Sequence, residues 1–289
     1  MIRIGIVGAE NTHSIAVAKT LNISKKVPGF RVVAIWGETN KFAKKAAKDG
    51  AIPTIVKKPE EMIGQIDAVF IDHRHPKYHL PAAEAFLKAR IPMFIDKPFC
   101  YRLSEGKSFL ARCRRAKVPV TSYSALIMQR SFKSLKQSLQ KTDKILTLTT
   151  IGPCDPDSPY GGLFFYGIHQ VEMIVDLLGT DVVSVNVSRS SKKKSTVATL
   201  FFRSGIAATI HCLIEYVGFH IAALTQNGLV SKQIAFDADP YITGIRTFCR
   251  MIRSGQEPLE HKRILAPIAI LEAMEKSLKT GKAQPVAKV

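Results

Sequence analysis

Two residues of this chain stand where proton chemistry could be done. Lys97, in Asp96-Lys97-Pro98, follows the apolar run Pro92-Met93-Phe94-Ile95. A lysine at the carboxyl end of a buried strand can act as a general acid/base or hold a substrate oxygen. The proline after it fixes the chain direction. His169 lies in Gly161-Gly162-Leu163-Phe164-Phe165-Tyr166-Gly167-Ile168-His169-Gln170-Val171-Glu172. There a glycine-rich turn opens a helical pattern. Glu172 at i+3 shares the face of His169 and could orient the imidazole. Each segment alone also fits a plainer reading, an ordinary loop lysine and a capped core histidine.

A third segment concerns phosphate. Residues 2–7 read as a strand and run into Gly8-Ala9-Glu10-Asn11-Thr12-His13, where a dinucleotide-binding chain carries G-x-G-x-x-G. Gly8 fills the first position. Glu10 stands at the second and His13 at the third, and a carboxylate facing a diphosphate is electrostatically wrong unless it points away. Alternatively the loop is shorter and Thr12-His13 begin the helix directly. Helix amides near residues 12–15 could then still face an anion.

The elements that must position these groups follow from periodicity. Apolar runs at 2–7, 31–36, 67–71, 92–95 and 118–122 read as strands buried on both faces. Helical patterns lie between them, at 13–22, 39–49, 78–89 and 102–115. Repeated βα units imply a parallel, doubly wound sheet, with ligands beyond the carboxyl ends of its strands. After about residue 122 the pattern changes. A helix at 129–140, a strand at 144–151, a Pro/Asp/Gly-rich loop and a helix at 164–178 precede strands at 182–190, 195–203 and 206–214. More strand-like sequence follows to about 237, then helices at 241–253 and 263–279. We expect an α/β chain of two domains: 1–121, a Rossmann dinucleotide-binding domain, and 122–289, a C-terminal substrate and oligomerisation domain.

Composition narrows the classes. With 289 residues, 46% of them apolar, two cores are feasible. No run approaches a membrane span, and nothing at the N-terminus reads as a targeting signal. The five scattered cysteines fit a reducing cytoplasm. The net charge of +19 is spread, 22 basic against 10 acidic residues in 1–121 and 20 against 13 in 122–289. Lys192-Lys193-Lys194, the one tight run, reads as a solvated hairpin turn rather than a nucleic-acid patch. The broad field favours anionic small molecules.

Taken together these segments resemble the glucose–fructose oxidoreductase / inositol dehydrogenase / MocA family. Residues 66–71 followed by His79 resemble its fourth strand and next helix. Asp96-Lys97-Pro98 resembles its E-K-P motif, and Arg130 stands where the family often has arginine. The segment from Gly161 to His169 resembles its glycine-rich turn and catalytic-helix histidine. The C-terminal stretch, Met251-Ile252-Arg253-Ser254-Gly255-Gln256-Glu257-Pro258 onward, is similar as well. The resemblance implies a Rossmann domain, a second α/β domain with an open, largely antiparallel sheet that mediates oligomers, and NAD or NADP as cofactor. Lys97 would lie near nicotinamide and substrate, Pro98 would shape the cofactor site, and His169 would be the acid/base. Gly8, Glu10, Asn11, Thr12, His13, Trp36, Glu38, Arg74 and His79 would be further cofactor-side residues. Arg130, Tyr166 and Glu172 would be substrate-side residues.

The departures from the family bear on function. Gly37 occupies the place of the ribose-binding acid, with Glu38 one position later. Trp36 could stack on adenine or belong to the core. The loop Asp72-His73-Arg74-His75-Pro76-Lys77-Tyr78-His79 crowds histidines onto the ligand edge. It suggests an anion site at Arg74 and Lys77 ahead of a metal at His73 and His75, with Asp72 or His79 as third ligand; no metal is expected. Phe165 replaces an Asp four residues before His169. The leading expectation is hydride transfer between nicotinamide and a sugar, cyclitol or sugar-acid hydroxyl. The alternatives are a non-redox enzyme, or a regulatory protein with an altered or lost nucleotide site.

Overall fold

The computed structural model describes residues 1–141, 144–190, 192 and 195–289. They form two compact units, one of residues 1–123 with 241–261, the other of residues 124–240 with 262–289. Lys193 and Lys194 lie outside the described residues, and Lys192 is an exposed turn residue.

The first unit opens as β1 (Ile2–Val7), α1 (Thr12–Ala18), β2 (Phe30–Trp36), α2 (Asn40–Gly50), β3 (Thr54–Ile55), β4 (Ala68–Ile71), α3 (His79–Lys88), β5 (Met93–Ile95), α4 (Leu103–Ala116) and β6 (Val120–Thr121). All six strands are parallel, in the order β3-β2-β1-β4-β5-β6. The reversal at β1 places the carboxyl ends of β1, β4 and β5 side by side, the switch point where such sheets bind ligands. Strand β4 is buried throughout, as its uninterrupted Ala68-Val69-Phe70-Ile71 dictates. Helix α2 buries Ala43, Ala46, Ala47 and Gly50 along one face and is capped by Thr39, whose hydroxyl accepts the Phe42 N–H at 3.2 Å. α1 is shorter than its pattern suggests, because a π-helical turn takes over at Lys19–Ile23.

The second unit begins with α5 (Arg130–Gln140), β7 (Ile145–Pro153), α6 (Leu163–Leu178), β8 (Val182–Arg189), β9 (Ser195–Phe202), β10 (Ala207–Leu213), β11 (His220–Thr225) and β12 (Gly228–Gln233). Helix α7 (Ile242–Ser254) belongs to the first unit, where Phe248 packs edge-on against Phe70 and Phe94. The second unit closes with α8 (His261–Thr280) and the short β13 (Gln284–Pro285). Its sheet runs β12-β11-β7-β10-β9-β8-β13, antiparallel except for the β7–β10 pair. One face is buried through Leu148, Thr150, Ala198, Leu200, Ala208 and Ile210. The other carries Thr149 and Thr209, joined at 2.8 Å, with Phe201 and Leu224 both 42% exposed. No described helix is long and apolar enough to cross a membrane.

Candidate functional site

In the first unit the site is built on the turn after β1. Gly8 has φ +112°, and a Cβ there would lie 2.6 Å from the Asp72 carbonyl carbon. Only glycine allows that approach. The same argument explains Gly37, where a Cβ would meet the Ala9 Cβ at 2.8 Å and the Ala43 nitrogen at 2.9 Å. The acidic residue at the end of β2 is Glu38, next after Gly37. Glu38 reaches back, and its Oε2 accepts the N–H of Ala9 at 2.9 Å and of Glu10 at 3.0 Å. Its Oε1 is buried and has no hydrogen-bond partner. The Glu10 carboxylate is held toward the Arg74 guanidinium, 3.9 Å away.

Asn11, His13, Asp72, Asp96 and Lys97 form one polar cluster at the ends of β1, β4 and β5. The Asn11 amide donates to Asp72 Oδ1 at 3.0 Å and to Asp96 Oδ2 at 3.1 Å. His13 Nδ1 lies 3.2 Å from Asp96 Oδ1, and the Lys97 ammonium 3.6 Å from Asp96 Oδ2. The two carboxyl groups are driven apart in acidity. Burial and the neighbouring Asp96 charge push Asp72 well above the ordinary carboxyl range, and its Oδ2 has no partner. Burial also works against an ionised Asp96, but Lys97 and His13 outweigh it and hold this carboxyl below its usual range. His13, Asp72 and Asp96 are also the described group able to gather round an ion. The Asn11 amide nitrogen already stands within 3.0, 3.1 and 3.4 Å of their ligand atoms. Asn11 is thus turned onto this cluster, and Thr12 starts α1 beside it.

The loop after β4 is aromatic. His73 lies 5.7 Å from the Trp36 ring, 5.9 Å from Tyr78 and 6.3 Å from His79. Burial lowers its pKa to about 3. His75 turns instead to Tyr101 at 5.1 Å, and its Nδ1 accepts the Lys77 N–H. Both imidazoles lie 5.9 Å from the Tyr78 ring, which the Lys77 ammonium covers at 4.9 Å. Trp36 donates its indole N–H to the Lys57 carbonyl. His79 is fully buried, with ring nitrogens 2.8 Å from the Pro98 carbonyl and 2.7 Å from the His73 carbonyl. Burial lowers its pKa against those two carbonyls, which favour the charged ring. His79 thereby ties the β4 loop to the cis Lys97–Pro98 peptide.

In the second unit Gly161 and Gly162 both have positive φ, and a Cβ on Gly162 would lie 2.6 Å from the Pro156 carbonyl oxygen. This turn launches α6, which is buried along most of its length. His169 Nδ1 lies 2.6 Å from the Ser124 hydroxyl. Glu172 Oε2 accepts the backbone N–H of Ser124 at 2.8 Å. Tyr166 and Phe219 flank the imidazole, each with ring centroids 5.7 Å away. Arg130 lies 3.2 Å from Asp237, with its side chain 84% exposed. Sequence reasoning missed Ser124, which is 45 residues from its partner, and Tyr241, whose ring stands 5.0 Å from that of His13. No spacing signal links either pair.

Comparisons with known proteins agree with this architecture. Residues 2–124 match the family described as an oxidoreductase family with an NAD-binding Rossmann fold. No curated protein matches the sequence. A probable dehydrogenase from Thermotoga maritima superposes with TM-score 0.85 at 20% identity, covering 99% of both chains. Scyllo-inositol dehydrogenase from Lactobacillus casei, solved with NAD(H) and scyllo-inositol, gives 0.86 at 15% identity over 100% of both chains. An oxidoreductase from Agrobacterium radiobacter, in complex with NAD+, L-tartaric acid and magnesium, gives 0.81 at 15% identity, covering 99% of this chain and 98% of that one. At these identities the superpositions speak for the fold of the whole chain, and the family match speaks for its first 124 residues. With its parallel sheet, its Gly8 turn and its Lys97-Pro98 strand end, this segment belongs to the glucose–fructose oxidoreductase / inositol dehydrogenase / MocA family of NAD-binding oxidoreductases.

Proposed function

We propose that the chain is an NAD-dependent dehydrogenase that oxidises a secondary hydroxyl of a sugar, cyclitol or sugar acid. The observation that carries this reading is Lys97. It is a buried ammonium held beside Asp96 at the carboxyl end of β5, within a Rossmann unit of the NAD-binding family. Bound NAD would supply the hydride acceptor. The chain's own residues would hold the dinucleotide and manage the hydroxyl proton. Glu38, whose Oε1 has no hydrogen-bond partner, would hold the adenosine ribose, and Trp36 and His73 would serve the adenine. Lys97, as the free amine, would take the proton of the reacting hydroxyl on oxidation and, as the ammonium, would return it on reduction. His169, Tyr166, Glu172 and Arg130 are the substrate-side residues of the second unit. A net charge of +19 favours an anionic substrate such as a sugar acid. The open sheet face around Phe201 and Leu224 suits self-association, which light scattering of the purified chain would test.

The direct test is incubation with NAD and a panel of inositols, aldoses and aldonic or uronic acids, read as NADH absorbance. Stoichiometric NADH with one substrate class supports the proposal. A second reading, a regulatory protein whose nucleotide site has closed, draws support from Glu38, because it already occupies the amides of Ala9 and Glu10. It predicts that no panel member reduces NAD.

A further inference from the structure

The Ser124 hydroxyl is completely buried and has two partners. It accepts the Leu126 N–H at 3.1 Å and lies 2.6 Å from His169 Nδ1. A hydroxyl has one proton to donate. The Leu126 N–H already uses one of its lone pairs, so the hydroxyl proton has one acceptor in reach, Nδ1. The opposite arrangement, with Nδ1–H donating to Oγ, strands the hydroxyl proton in the interior, a desolvation cost that native folds avoid. The position of Ser124 is itself fixed. Its N–H donates to Glu172 Oε2 at 2.8 Å, and Arg263 donates to the Glu172 carbonyl at 2.9 Å.

From this geometry we infer that Ser124 is a positioning residue that locks neutral His169 in its Nε2–H tautomer, so that the ring serves substrate as a hydrogen-bond donor rather than as a base. The inference rests on the dehydrogenase reading for its functional meaning, though the tautomer itself does not depend on it. A neutral imidazole whose Nδ1 lone pair is engaged has no free lone pair with which to take a proton. It can polarise a carbonyl or hydroxyl oxygen through Nε2–H, as neutral histidines do at other carbonyl-reacting sites. On the dehydrogenase reading, the proton that leaves the hydroxyl goes to the Lys97 amine rather than to the ring.

The tautomer is measurable without substrate or cofactor. Long-range 1H–15N correlation spectra of the full 15N-labelled chain at neutral pH, with His169 assigned by comparison with His169→Gln, report the state of each ring nitrogen. We expect Nδ1 to be unprotonated and Nε2 protonated. Ser124→Ala should mix the two tautomers, and Ser124→Thr should restore the wild-type pattern. A protonated Nδ1 in the neutral wild-type ring would overturn the inference whatever the variants do. So would an unchanged tautomer in a folded Ser124→Ala. If the dehydrogenase reading fails instead, that appears separately as absent NADH formation and leaves these spectra unchanged.

Discussion

Glu38 and Glu10 are joined by a hydrogen bond, the Glu10 amide donating to the Glu38 carboxylate at 3.0 Å. With the matching bond from Ala9, it ties Glu38 at the end of β2 to the turn after β1. A carboxylate there accepts ribose hydroxyls and repels a 2′-phosphate. Glu38→Ala should weaken NAD binding by about 1.5 kcal/mol, roughly tenfold in Kd, and reduce the preference for NAD over NADP. Calorimetric titration of both cofactors into both proteins checks this.

Lys97 should matter for rate more than for cofactor affinity. Lys97→Met keeps the length of the side chain without the ammonium. We expect NADH formation to fall by ~10²–10⁴, with NAD binding within about tenfold of wild type. A variant with near-normal turnover would remove Lys97 from the chemistry.

His73 should make the fold acid-sensitive. Its pKa is lowered to about 3 in the fold by burial, against 6.5 ordinarily. Below pH 6.5 the unfolded chain binds a proton that the folded chain does not, so stability present above that pH is lost as pH falls toward 3. The slope for one group is about 1.4 kcal/mol per pH unit. Between pH 6.5 and 5 the wild type should therefore lose about 2 kcal/mol more than His73→Gln, as read by urea unfolding.

Asp72 should act in the opposite direction. Its folded pKa is raised, chiefly by burial and by Asp96. As pH rises above the ordinary carboxyl value, the unfolded chain releases a proton that the fold retains, so stability falls until Asp72 ionises in place. Asp72→Asn keeps an oxygen for the Asn11 amide and removes that titration. Across pH 4–7 the variant should gain stability relative to wild type, and a constant difference would contradict the assignment.

Much of the first unit was legible because its strands are uninterrupted apolar runs separated by helical patterns. Strand β3 was not, since Thr54 and Ile55 are both exposed and too few to show a period. Gly37 looked like a missing acid. In the fold it is a packing requirement; Glu38 one place later was visible in the sequence, but its bonds back to the Ala9 and Glu10 amides were not. The charged cluster was half legible. Lys97 and His13 stood out by type, but the split acidity of Asp72 and Asp96 arises from burial and from two strand ends meeting in space. The Ser124–His169 bond and the packing of Phe248 against Phe70 and Phe94 are long-range contacts with no local signature.

Whether the turn after β1 holds a nicotinamide dinucleotide decides between a dehydrogenase and a closed nucleotide site. Thermal unfolding of the purified chain with increasing NAD measures that directly. At ~100 times its Kd, NAD should stabilise the fold by ~2.7 kcal/mol, and NADP should do so less. An unfolding transition that neither cofactor moves at millimolar concentration would contradict the central claim and favour a closed nucleotide site.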